Sequence, residues 1–187
     1  MTFRSSGSVQ LFRWPFFLLA FFAIAATAHA QTPSGREVVS ATAFASADPA
    51  ARGASLQLAV VLKIRSGFHI NARAKSADYL IATDLKADLP AGFKAGEVSY
   101  PKGETRTFSF SKTPLNVYQE TVILRMPVTV LNTAPAGPSQ IPLKLRYQAC
   151  SHEICLPPVT VDVQAAVNVA TPGESAKSAH PEIFSPR

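Results

Sequence analysis

Hydrophobic and polar positions alternate with a period of two along much of the chain beyond residue 50. "SLQLAVVLKI" (55–64) begins in alternation and becomes continuously apolar, while "TVILRMPVTVL" (121–131) and "IPLKLRYQA" (141–149) alternate well. "VTVDVQAAVNV" (159–169) alternates most clearly. A period of two sends successive side chains to opposite faces of a strand, so each run predicts a strand with one buried face. Clusters such as "LPAGFKAGE" and "NTAPAGPSQ" supply the turns between them. Helical periodicity is weak throughout, and "SADYLIATDLKADL" (76–89) reads either as a short turn of helix or as a loop feeding a strand. The pattern predicts an all-β fold, an immunoglobulin-like antiparallel β-sandwich. The inter-sheet disulfide and packed tryptophan of antibody domains are not expected: the single tryptophan is Trp14, and the two cysteines lie too close together.

The two ends read differently from this body. Residues 1–30 combine a basic start, the apolar run "PFFLLAFFAIAATA" and an Ala28-His29-Ala30 ending. That is the pattern of a secretory signal peptide cleaved after Ala30, and the run from Pro15 to Ala28 is shorter than the ~20 apolar residues of a spanning helix. Residues 31–170 are then the sandwich domain. "TPGESAKSAHPEIFSPR" (171–187) is rich in Pro, Ser and Ala and is expected to be a flexible tail. Cleavage would leave a soluble chain in the periplasm, where disulfides form and persist.

Charge adds little. The formal net charge is +6 at pH 7 and falls to +4 once Arg4 and Arg13 are removed with the signal. The remaining basic residues are scattered and form no run, which argues for a solvated surface and against a nucleic-acid partner.

Chemistry concentrates in "RYQACSHEICLPPVTVDV" (146–163), which holds both cysteines, Cys150 and Cys155. Strand parity puts Cys150 with Lys144 and Arg146 on the polar face, where the cations would favour its thiolate. The pair should close a hairpin tip or the adjoining ends of two strands, where paired backbones come within disulfide reach. It is either a staple or a switch. A bridge closing about six residues stabilises by roughly 2 kcal/mol, little for a domain able to bury its own core. A short, reachable bridge is also open to exchange. A metal reading would join Cys150, His152 and Cys155 to His69 or His180, but C-x-H-x-x-C matches no common zinc arrangement, and no metal is expected. His152 and Glu153 read as loop residues able to tune thiol ionisation.

"YQACSHEICLPP" resembles the redox segment of the N-terminal periplasmic domain of the DsbD-type thiol:disulfide interchange protein. "GFHINA" (67–72), "DLPAGFKAGEVSYPKGE" (88–104) and "VYQETVILRMPVTV" (117–130) are similar to further elements of that family, in the same order, over about residues 38–167. The resemblance implies an immunoglobulin-like monomer whose Cys150–Cys155 pair relays electrons without an organic cofactor. A membrane thiol reductase would reduce the pair, and thioredoxin-like periplasmic proteins would take the electrons for disulfide correction or cytochrome c maturation. By position, Cys155 forms the mixed disulfide and Cys150 resolves it, against the parity reading of Cys150 as the accessible thiolate. The resemblance further implies a cap loop at "GETRTFSFSK" (103–112), with Phe108 or Phe110 as the lid, although the acidic residues that usually precede it are missing. An alternating "TFSFS" fits a strand facing the core equally well. Tyr147 reads as packing beside the pair, with a tuning role as its alternative. The competing function is a secreted binding or chaperone-like sandwich with a purely structural bridge. The relay is a candidate protein-disulfide reductase, and whether it counts as an enzyme stays open because a relay is consumed and regenerated in each cycle.

Overall fold

The computed structural model describes Met1, Thr2 and residues 33–185. The expected signal segment and its cleavage point after Ala30 therefore lie, apart from Met1 and Thr2, outside the described residues. All elements below belong to the compact unit Thr32–Arg187.

The alternating runs form the strands they predict. The first sheet contains β1 (Val39–Ala45), β2 (Ser55–Ile64), β5 (Phe93–Ala95) and β8 (Thr121–Val130), in the order β1-β2-β8-β5. A second sheet holds β4 (Asp84–Ala87), β9 (Gly137–Tyr147) and β11 (Val159–Val169), in the order β11-β9-β4. Every pairing is antiparallel. Leu56, Leu58, Val60 and Leu62 of β2 join Val122, Leu124, Met126, Val128 and Val130 of β8 on one inner face. Ile141, Leu143, Leu145 and Tyr147 of β9, with Val163, Ala165, Val167 and Val169 of β11, supply the other, and all share one core. Alternating strands with one buried face each, packed face to face, make this an all-β immunoglobulin-like sandwich. Segment 76–89 resolves as loop followed by β4, with no helix.

A third sheet sits at one end of the sandwich. It contains β3 (His69–Asn71), β6 (Glu104–Arg106), β7 (Leu115–Tyr118) and β10 (Ala149–Cys150), in the order β10-β3-β7-β6. These strands are too short to show a period in sequence, which is why only the long runs were legible. One of its faces belongs to the main core through Ile70, Tyr118 and Ala149. On the opposite face Leu115 and Val117 pack with Leu80 and Phe108 in a separate small cluster. Alternation along β3 and β10 puts His69, Asn71 and Cys150 on that second face.

Residues 171–185, expected to be loose, lie against the sandwich. Ala179 N–H donates to the Ser46 carbonyl at 3.0 Å, and Asp48 N–H to that of Lys177 at 2.9 Å. His180 meets Phe44 edge-on at 4.9 Å, and the turn α2 (Pro181–Phe184) receives the Arg125 guanidinium on the Ile183 carbonyl at 2.8 Å.

Tyr147 is fully buried, and its hydroxyl donates to the Gly35 carbonyl at 2.9 Å, within α1 (Gly35–Val38). This ties the first described turn to the middle of the core. Tyr147→Phe removes this buried hydrogen bond and is expected to lower stability by about 1 kcal/mol. Urea unfolding checks this, with the rate of disulfide reduction expected to stay unchanged.

A disulfide at a hairpin tip beneath an aromatic loop

The β9–β11 hairpin does not end where its ladder ends. Beyond the Tyr147–Val159 pair the chain passes through Gln148 into β10, which leaves the second sheet to pair with β3. The returning strand meets β10 at one further ladder position, Cys150 opposite Cys155. Ser151 N–H donates to the Ile154 carbonyl and Leu156 N–H to that of Ala149, each at 2.8 Å. These two bonds flank the cysteines, so the cysteines occupy a non-hydrogen-bonded position, where antiparallel side chains stand closest. They are disulfide-bonded, with Cα atoms 3.9 Å apart. The tip turns tightly: the Ser151 hydroxyl oxygen accepts from the amides of Glu153 and Ile154, both at 3.1 Å.

The two sulfur-bearing residues have opposite surroundings. Cys150 is fully buried, whereas Cys155 is exposed, as are His152, Glu153 and Ile154 on the turn. This corrects the parity reading, which put Cys150 in the open beside Lys144 and Arg146. Alternation does carry Cys150 away from the main core. At that end of the sandwich, however, the outward face is roofed by other chain, so the polar face of β9 becomes an interior face in β10.

The roof is the hairpin loop between β6 and β7, residues 107–114. Phe108 is buried there and stacks on the His69 ring at 3.9 Å, while Phe110, about one-third exposed, stacks outside Phe108 at 5.5 Å. Both aromatics thus sit in a loop and not in a core-facing strand. The Ser109 hydroxyl donates to the His152 carbonyl at 2.9 Å, fastening the loop to the disulfide turn. The His152 ring lies 6.0 Å from Phe108, edge-on.

Beneath the loop, polar groups hold β10 and β3 in register. Gln148 Oε1 accepts from Asn71 Nδ2 at 3.3 Å and from the Ile81 amide at 3.4 Å, while its Nε2 donates to the Leu156 carbonyl at 3.3 Å. The Thr83 hydroxyl donates to the Asn71 carbonyl at 2.6 Å. One side chain, Gln148, therefore ties both arms of the cysteine hairpin to the neighbouring strand. His69 stands directly opposite Cys150 in the ladder, is almost wholly buried, and has no hydrogen-bond partner at Nε2. Desolvation, and secondarily the charge of His152, lower its pKa to about 4, so the ring is neutral at neutral pH.

The structure thus brings Cys150, Cys155, Phe108, Phe110, His152 and Glu153 to one end of the molecule. Tyr147, although next but two to Cys150, belongs to the main core. Three contributors escaped the sequence reading as parts of this site: His69, weighed only as a metal ligand and family element, and Asn71 and Gln148. A polar residue at a buried β position is the signal that could have found them, but β3 and β10 are too short to predict which face is buried.

The domain is all-β and carries its disulfide at a roofed hairpin tip, with Cys155 exposed and Cys150 buried. The chain belongs to the family described as thiol:disulfide interchange protein DsbD, N-terminal, which matches residues 38–166. No curated protein matches it. Among solved structures it is similar to the N-terminal periplasmic domain of ScsB from Proteus mirabilis, at 11% identity and a TM-score of 0.45, covering 70% of this chain and 45% of that one. It is also similar to a family 123 glycoside hydrolase from Clostridium perfringens, at 13% identity and a TM-score of 0.30, covering 71% of this chain and 28% of that one. The chain spans less than half the length of either, and both likenesses are too loose to bear on activity.

Burial of neutral His69 predicts an acid weakness. The unfolded chain takes up its proton near pH 6.5 and the folded chain only near pH 4, so stability falls as pH drops through that window. The loss should reach on the order of 3 kcal/mol at most. Urea midpoints at pH 7 and pH 4.5 measure it, and His69→Gln is expected to flatten the slope.

Proposed function

We propose that this domain is a periplasmic thiol-disulfide exchange module, and that Cys150–Cys155 cycles between disulfide and dithiol. It takes electrons from a membrane thiol reductase and passes them to thioredoxin-like acceptors, in disulfide correction or cytochrome c maturation. In this reading residues 1–30 are removed as a signal peptide, and the released chain works as a soluble monomer. The observation that carries the reading is the asymmetry of the pair: Cys155 exposed, Cys150 buried.

That asymmetry supports an order of events. In the dithiol form the Cys155 thiolate attacks one sulfur of the acceptor disulfide, and the acceptor's other sulfur leaves as a thiolate. Cys150, once deprotonated, attacks Cys155 Sγ, restores the internal bridge and releases the acceptor's first sulfur. Two electrons pass to the acceptor, which leaves as a dithiol. Recharging runs the same steps backwards, with a donor thiolate attacking Cys155 and Cys150 departing. Family membership supports the same chemistry, and the roles of the two cysteines agree with those the resemblance implies.

The alternative, a binding sandwich with a structural staple, is less well supported. The tip is already held by its ladder bonds, by the Ser151 turn and by Gln148. A bridge closing about six residues adds roughly 2 kcal/mol to that. Phe108 and Phe110 are read as the lid, lifted when a partner docks, and His152 and Glu153 as tuning groups on the turn.

A trapping experiment tests the exchange. Cys150→Ala should leave Cys155 to hold a thioredoxin-like protein as a persistent mixed disulfide in periplasmic extract, whereas Cys155→Ala should hold at least about tenfold less, since reactivity follows access. No adduct from Cys150→Ala in a folded protein would refute the reading. For the lid, Ser109→Ala removes one hydrogen bond worth about 1 kcal/mol, so the open population should rise about fivefold. Reduction by dithiothreitol should quicken by the same factor.

A further inference from the structure

A buried histidine is ordinarily explained by its hydrogen bonds, and His69 lacks one. It is 1% exposed, its Nε2 has no partner, and Phe108 closes over the ring at 3.9 Å. An apolar side chain would fill the same space without burying an unpaired nitrogen, so packing does not account for the residue. Its position does. His69 and Cys150 are directly opposed in the β3–β10 ladder, which puts both side chains on one face with Cβ atoms about 4.5–5.5 Å apart. In the disulfide state the Cys150 sulfur carries no proton and has nothing to donate. Reduction gives it one, on the face of the sheet that also carries the unpaired nitrogen.

We infer that His69 is the hydrogen-bond acceptor of the Cys150 thiol. The inference rests on the reading of Cys150–Cys155 as a redox-active pair. In the resolving step the Cys150 S–H, oriented by Nε2, loses its proton to water, and the electron pair left on Sγ forms the bond to Cys155 Sγ. The bond between Cys155 and the acceptor breaks, and its electron pair leaves on the acceptor sulfur. The acceptor thiolate takes a proton from water in turn. The ring is neutral at neutral pH, so one ring nitrogen keeps a lone pair for a hydrogen bond. The other titratable group acting on it is His152 of the turn. From the loop above, the rings of Phe108 and Phe110 stack on the His69 ring, and the adjoining side chains of Asn71 and Gln148 are uncharged. Because the S–H···N bond exists only in the dithiol, it also biases the pair towards reduction.

Equilibration with reduced and oxidised glutathione at pH 7 tests this. His69→Leu should shift the equilibrium about tenfold towards the disulfide, a potential lower by ~30 mV. His69→Gln, which keeps an acceptor, should stay within about threefold of the wild type. A wild-type pair that resists reduction altogether overturns the exchange reading itself. A wild-type pair that cycles, alongside a folded His69→Leu with the same equilibrium, overturns the role of His69 alone. Should His69→Leu fail to fold, ring ¹⁵N spectra of the unaltered protein decide. The Nε2 resonance is expected to move on reduction, and an identical resonance in both states overturns the inference.

Discussion

Antiparallel ladders alternate wide and close positions, and the cysteines occupy a close one in which two neighbours of the same chain face opposite environments. That constraint underlies the rest of the site. The flanking bonds from Ser151 and Leu156 bring the sulfurs together, while the departure of β10 from β9 to join β3 carries one cysteine under cover. Had β9 continued in its own sheet, Cys150 would have stood in water beside Arg146, and both sulfurs would have been equally open to attack.

The third sheet makes this possible because its two faces do different work. Ile70 and Ala149 anchor it to the sandwich, whereas His69 and Cys150 lie on the opposite face, where Phe108 stacks on the His69 ring. Gln148 is the joint between the two regimes, bonding to β3, to the 81 amide and to the returning strand. The large core thereby holds one face of the third sheet, and the Phe108 loop keeps the Cys150 sulfur on the other face out of water.

The long strands were readable because burial of one face imposes a period of two over ten or so residues. β2 and β11 fall on the runs at 55–64 and 159–169, and β8 on all but the last residue of 121–131. The strands of the third sheet left no such trace, since two to four residues cannot display a period. The cysteine hairpin was legible from spacing, but the exposure of its members was not: alternation tells which face a residue takes, and says nothing of what covers that face. Phe108 and Phe110 show the same limit. Their alternation is real and puts both rings on one side, yet the backbone carrying them is a loop.

The opposition of His69 and Cys150 carries an evolutionary consequence. In a strand, gain or loss of one residue inverts every later side chain. A single insertion in β3 or β10 would swing the imidazole or the thiol into the hydrocarbon interior and bring Ile70 or Ala149 out. Length variation among descendants of this gene should therefore be absent from those two short segments.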